Sequence, residues 1–126
     1  MKLIVKTALF TALLATTMVT NAGYRYVYPV TIGSNYAYGA IADARGSADT
    51  RQSIGCWENN DGASCSAVNS TGTYRSCYTT DPTMRSLIRS IGSESYIYFI
   101  FDTSGSCSYI YVENTSVFKP AAASGY

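Results

Sequence analysis

The stretch Tyr96-Ile97-Tyr98-Phe99-Ile100-Phe101, followed after Asp102-Thr103-Ser104-Gly105 by Tyr109-Ile110-Tyr111-Val112, decides the fold. Successive side chains of a strand point to opposite faces. Ile97, Phe99 and Phe101 therefore share one face, with Ile110 and Val112. Tyr96, Tyr98 and Ile100 share the other, with Tyr109 and Tyr111. A turn at 102–105 sets Phe101 beside Ser106, Tyr98 opposite Tyr109, Tyr96 opposite Tyr111 and Ile97 opposite Ile110. Slipping the register by two residues keeps this sorting. One face is aliphatic core and the other carries four Tyr. Cross-strand aromatic pairs contribute roughly 0.2–1 kcal/mol each to a sheet, and a second layer of the same chain could cover them. The functional reading is a flat aromatic platform for sugar rings or for another protein.

Outward from this hairpin, short β-prone runs are separated by Gly/Asn/Asp/Ser turns. Strands are expected near 24–32, 36–44, 52–58, 64–69, 73–79, 95–101 and 107–113. One helix is expected at about 81–91. Asp81 can cap it, Pro82 suits its first position and Gly92 follows its end. Met84, Leu87, Ile88 and Ile91 recur at helical spacing as a buried stripe, with Arg85 and Arg89 on a solvated side. The fold class is mainly β, β-sandwich-like or α+β, with antiparallel pairing.

The mature N-terminus repeats the tyrosine pattern. Tyr24, Tyr26 and Tyr28 fall on one side of an extended run, and Pro29 confines that run to an edge or arm. Such an arm can pair with its own sheet or with a neighbour's open edge.

Residues 1–22 read as a secretory signal peptide. Lys2 and Lys6 precede a short apolar run, and Thr20 and Ala22 suit the small positions before a cut at Gly23. The run is shorter than the about 20 apolar residues of a membrane span, so no stable membrane insertion is expected after cleavage. The expected organisation is 1–22 signal peptide, 23–35 Tyr-rich arm, 36–119 one β-rich domain and 120–126 a loose tail. The 126-residue chain has 9 Lys+Arg, 8 Asp+Glu, 12 Tyr and no His, and only 13% of it is charged. Without Lys2 and Lys6 seven bases face eight acids, so there is no basic field for nucleic acid, and a near-neutral, Tyr-rich surface is prone to association.

Cys56, Cys65, Cys77 and Cys107 read as a disulfide framework of an exported protein. Four Cys allow three connectivities. A hairpin around Asn59-Asn60-Asp61-Gly62 puts Cys56 opposite Cys65, which favours Cys56–Cys65 with Cys77–Cys107. Cys65 and Cys77 are also symmetric about Thr71, which keeps a change of partner open. The spacings carry no CxxC and the chain no His, so no metal site, no Cys–His nucleophile and no cofactor is expected. Trp57 is expected to pack on a disulfide. Asp43, Arg45, Asp49 and Arg51 read as a salt-bridged strand edge and loop.

The run Gly39-Ala40-Ile41-Ala42-Asp43-Ala44-Arg45-Gly46-Ser47-Ala48-Asp49, then Ser53-Ile54-Gly55-Cys56, and the run from Asp102 to Val112 resemble a group of small secreted proteins of Gram-negative bacteria, myxobacteria included. That group has no assigned function. The likeness covers roughly residues 36–120 and implies bacterial export and a disulfide-bearing β domain. It supplies no active site.

These readings converge on a secreted, non-enzymatic protein. It would be a self-associating surface or filament subunit acting through Tyr24, Tyr26, Tyr28, Tyr96, Tyr98, Tyr109 and Tyr111. The alternatives are an extracellular carbohydrate-binding module and a small secreted enzyme inhibitor inserting a loop such as 59–64. A carboxylate-based hydrolase is the remaining, least favoured class.

Overall fold

A computed structural model describes residues 24–118. The signal-peptide reading at 1–22 and the tail at 120–126 lie outside them. The described chain is mainly β, with two antiparallel sheets. The first has the order β1-β2-β6-β7: β1 Thr31–Ile32, β2 Tyr36–Ala40, β6 Tyr96–Phe101 and β7 Cys107–Glu113. The second is β3-β4-β5: β3 Ser53–Glu58, β4 Ala63–Val68 and β5 Tyr74–Thr79. A short helix α1 (Ile41–Arg45) follows β2, and α2 (Pro82–Arg89) joins the second sheet to β6. The second sheet and α2 are thus inserted between β2 and its partner β6.

The inner faces meet in one core. Ile97 and Phe99 are fully buried, with Phe101, Ile110 and Ala37 beside them. Ile54, Ala63, Cys65, Ala67 and Cys77 from the second sheet and Ile88 from α2 complete it. Small residues on β4 let the sheets approach closely, and the disulfide Cys77–Cys107 ties β5 to β7. The other disulfide, Cys56–Cys65, joins directly opposed residues of the β3–β4 hairpin. Both are the favoured pairs. Two disulfides suit an extracellular or periplasmic protein, and among the described residues no helix is long and apolar enough to cross a membrane.

The final hairpin sorts its faces as expected, by a route the sequence reading missed. The turn is one residue tighter: the Asp102 N–H donates to the Ser106 carbonyl at 3.0 Å, and Gly105 takes φ +85°. The Asp102 carboxylate accepts from the backbone N–H of Ser104 and of Ser106, which holds this turn closed. That alone would shift the register by one and turn Tyr109 and Tyr111 inward. A bulge at Ser108 restores the sorting. Phe101 pairs with Cys107, but Ile100 pairs with Tyr109 and Tyr98 with Tyr111. Cys107 can therefore face the core while Tyr109 faces out. The net result is the two-residue slip: Tyr98–Tyr109 and Tyr96–Tyr111 are diagonal neighbours, and Ile97 lies opposite Val112.

Several expectations are corrected. The strand at 36–44 stops at Ala40, because the Ala-rich Ile41–Arg45 winds into α1 with Ala42 and Ala44 buried. The strand at 24–32 survives only as Thr31–Ile32. In α2 the Asp81 carboxylate accepts from the Met84 N–H at 2.9 Å, as a cap should. However, Leu87 is exposed, and only Ile88 of the helix is fully buried. Arg85 and Arg89 are not simply solvated. Both reach Glu58 on β3, and Arg85 also donates to the Asn59 carbonyl. Burial opposes the Glu58 charge, but the two guanidiniums outweigh it and hold the carboxyl below its usual range. The 59–62 loop is thereby tied to α2. The Tyr78 hydroxyl also donates to the Asp61 carbonyl at 3.0 Å.

Candidate functional site

The outer face of the four-stranded sheet is a grid of three rows. In register order these are Tyr36–Ile100–Tyr109, Tyr38–Tyr98–Tyr111 and Ala40–Tyr96–Glu113. The middle row is tyrosine throughout. Rings of Tyr36, Tyr38 and Tyr98 stand nearly parallel, with centroids 6.0–6.2 Å apart. Tyr109 meets Tyr98 edge-on at 6.1 Å, and Tyr111 meets Tyr96 likewise at 6.3 Å. Edge-to-face and offset geometries are those that aromatic quadrupoles prefer.

The arm completes the cluster. Tyr28 lies 5.1 Å from Tyr96, 6.5 Å from Tyr38 and 5.8 Å from Phe118. Tyr26 meets Tyr28 at a tilt, and Tyr24 meets Tyr26 edge-on. Nine tyrosines and Phe118 form one continuous network. All seven tyrosines expected from sequence belong to it. Tyr36 and Tyr38 belong too and were missed. Their signal was the alternation Tyr36-Ala37-Tyr38, a large ring at each outward position of a strand.

The arm is held on its own body by means other than a ladder. The Tyr28 N–H donates to Asp43 Oδ2 at 2.8 Å and the Val30 N–H to Gln52 Oε1 at 2.8 Å. Tyr28 accepts through its carbonyl from the Ala40 N–H, and the Tyr26 N–H donates to Val117. Arg25 pairs with Asp43, whose side chain is only 4% exposed. So Asp43, expected in a salt-bridged strand edge and loop, does form an ion pair, but as the buried anchor of the arm. Asp49 closes the following loop by accepting from Gln52 and from the Arg51 N–H, bonds that hold its carboxyl below the usual range. Arg45 donates to the Ser93 carbonyl.

The network is covered around Tyr96 and open at its two ends, the arm tip Tyr24 being 72% exposed. Burial first, then the phenols of Tyr38, Tyr28, Tyr98 and Tyr111, push the Tyr96 hydroxyl up to about 12. At the other end Tyr109 is 48% exposed and Tyr111 41%. The Tyr111 hydroxyl donates to Glu113 Oε2 at 2.9 Å, which raises its pKa. Among the described residues no group of three or more His, Cys, Asp or Glu is gathered for a metal.

Trp57 does not pack on a disulfide. Cys56 faces inward, so its strand neighbour must face outward, and Trp57 is exposed on the second sheet.

No protein family, curated protein or solved structure was found to match the chain.

Proposed function

We propose that the protein is exported through its N-terminal signal segment and acts without catalysis, associating with further copies of itself through the tyrosine face. The observation that carries this reading is the aromatic network of the outer face, which runs from Tyr96, covered by Tyr28 and Phe118, to exposed rings at Tyr109 and Tyr111. Its rings already pack against one another in stacked and edge-on geometry, and a second copy presents rings of the same kind. A two-fold contact needs such self-complementarity. Glu113 is the only charged residue of the grid, and the near-neutral mature chain offers little repulsion between copies. The arm serves this face in place. It packs Tyr28 onto Tyr96 and is bonded to its own chain, so its role here is to complete the surface rather than to join a neighbour's sheet.

The test is the native mass of the exported, oxidised protein by light scattering over a concentration series, with electron microscopy of the same samples. Mass above the monomer, rising with concentration and lost in the Tyr109→Glu/Tyr111→Glu variant, is expected. A monomer throughout the micromolar range overturns the reading.

A further inference from the structure

The outer face of the second sheet carries a different surface. Its three rows are Ser53–Val68–Tyr74, Gly55–Ser66–Ser76 and Trp57–Ser64–Tyr78. Trp57, Tyr74 and Tyr78 occupy three corners and are 53%, 56% and 44% exposed. The middle row has only glycine and serine. Above Gly55 the space is open: a Cβ there would meet nothing within 4 Å. The face is therefore a trough with a small hydroxyl-bearing floor and aromatic walls. By strand geometry its two aromatic rows lie about 13 Å apart along the strands, and Trp57 and Tyr78 about 10 Å apart across them.

We infer that this trough binds an uncharged polysaccharide, a β-linked pyranose chain laid flat on the sheet. Pyranose rings present C–H faces that pack on aromatic rings and hydroxyl edges that bond to hydroxyls, and the trough alternates these two chemistries. None of the nine positions carries a charge, which disfavours nucleic acid and anionic polymers. A protein partner would want a desolvated apolar centre for its anchors, whereas here the centre is glycine and serine. One wall is also preset. Tyr78 is pinned by its hydroxyl bond to Asp61, with its ring over Gly62, so little side-chain freedom is lost on binding.

Trp57 is the sole Trp of the chain, so its fluorescence reports this face alone. The experiment titrates the oxidised protein with cellohexaose, xylohexaose and laminarihexaose while following Trp57 emission and its shielding from acrylamide. Electrophoresis through gels containing hydroxyethylcellulose, β-glucan or alginate runs in parallel. The expected result is a shifted, shielded Trp57 with at least one neutral hexasaccharide and retardation in a neutral-glycan gel but not in alginate. Trp57→Ala and Ser66→Arg, both on the outer face, each weaken the retardation about tenfold. Tyr109→Ala, on the opposite sheet, leaves it unchanged. Silence of Trp57 with all three sugars together with free migration in both neutral gels overturns the inference. So does retardation in alginate alone, or retardation that survives in both trough variants. Because self-association is read on the other face, either proposal can fail without the other.

Discussion

The two sheets turn opposite kinds of aromatic surface to solvent. On the four-stranded sheet tyrosines hold six of the nine positions of a three-by-three grid, touch one another, and are roofed at one end by Tyr28 and Phe118. On the three-stranded sheet three aromatics stand at the corners around a glycine–serine floor, with no ring pair between them. The first surface is cohesive and spends much of its ring area on its own rings; the second is sparse and leaves its rings free. Aromatic count is thus a poor guide to availability. What separates the faces is the residue placed between the rings, tyrosine on one sheet and serine on the other.

The sharpest way to break the comparison is to unhook the layers that hold the faces apart. Replacing both Cys77 and Cys107 by Ser removes a cross-link closing 30 residues, and should cost about 3–4 kcal/mol in urea unfolding. Replacing Cys56 and Cys65, which close 9, should cost about 2.5 kcal/mol.

Next comes the cohesion of the tyrosine face itself. Tyr28→Ala removes a ring that touches Tyr26, Tyr38, Tyr96 and Phe118, and should cost about 2 kcal/mol. Trp57→Ala on the sparse face should stay within about 0.5 kcal/mol. Equal losses in the same urea series would mean that the sparse face is packed as the other is.

Arg25→Ala leaves the Asp43 carboxylate with the Tyr28 N–H and no counter-charge, and should cost about 1 kcal/mol. Faster hydrogen exchange at Tyr28 would locate the loss in the arm.

The last effect appears only in alkali and belongs to one face. The Tyr96 hydroxyl titrates near 12 when folded, against 10.0 as its ordinary value. Between those values the unfolded chain holds fewer protons than the folded one, so stability falls as pH rises. The benefit is complete below pH 10 and gone above 12. Tyr96→Phe should flatten that part of the stability–pH curve and remove the latest component of the phenolate absorbance titration.

Much of this architecture was legible from alternation alone. Strands β3 to β7 lie within a residue or two of where period-two patterning and turn residues put them, and the 59–62 hairpin favours Cys56–Cys65, which leaves Cys77–Cys107 as the second pair. The arm was misread because its backbone groups are satisfied by Asp43 and Gln52, side chains that nothing local in 24–30 announces. The strand ending at Ala40 was overextended because five residues of alternating Ala fit an edge strand as well as a single helical turn. Tyr36 and Tyr38 escaped the site because the alternation Tyr36-Ala37-Tyr38 marks a face without naming its partner, and the pairing of β2 with β6 spans the whole inserted sheet. Trp57 is a different failure. The alternation that turned Cys56 inward already required Trp57 to point out.

Cys56, Cys65 and Cys77 stand in one row across the second sheet, because Cys65 is in register with both of the others. During oxidation the middle thiol has two suitors at the same strand spacing, each one hairpin away. The loops are of similar length, 9 residues to Cys56 and 12 to Cys77, so proximity hardly separates them. Closing on Cys77 would strand Cys56 and Cys107 on different sheets with no partner in reach. Maturation of this chain is therefore a race between two hairpins, and its yield should depend on how readily its compartment reshuffles a bond that formed first but in the wrong place.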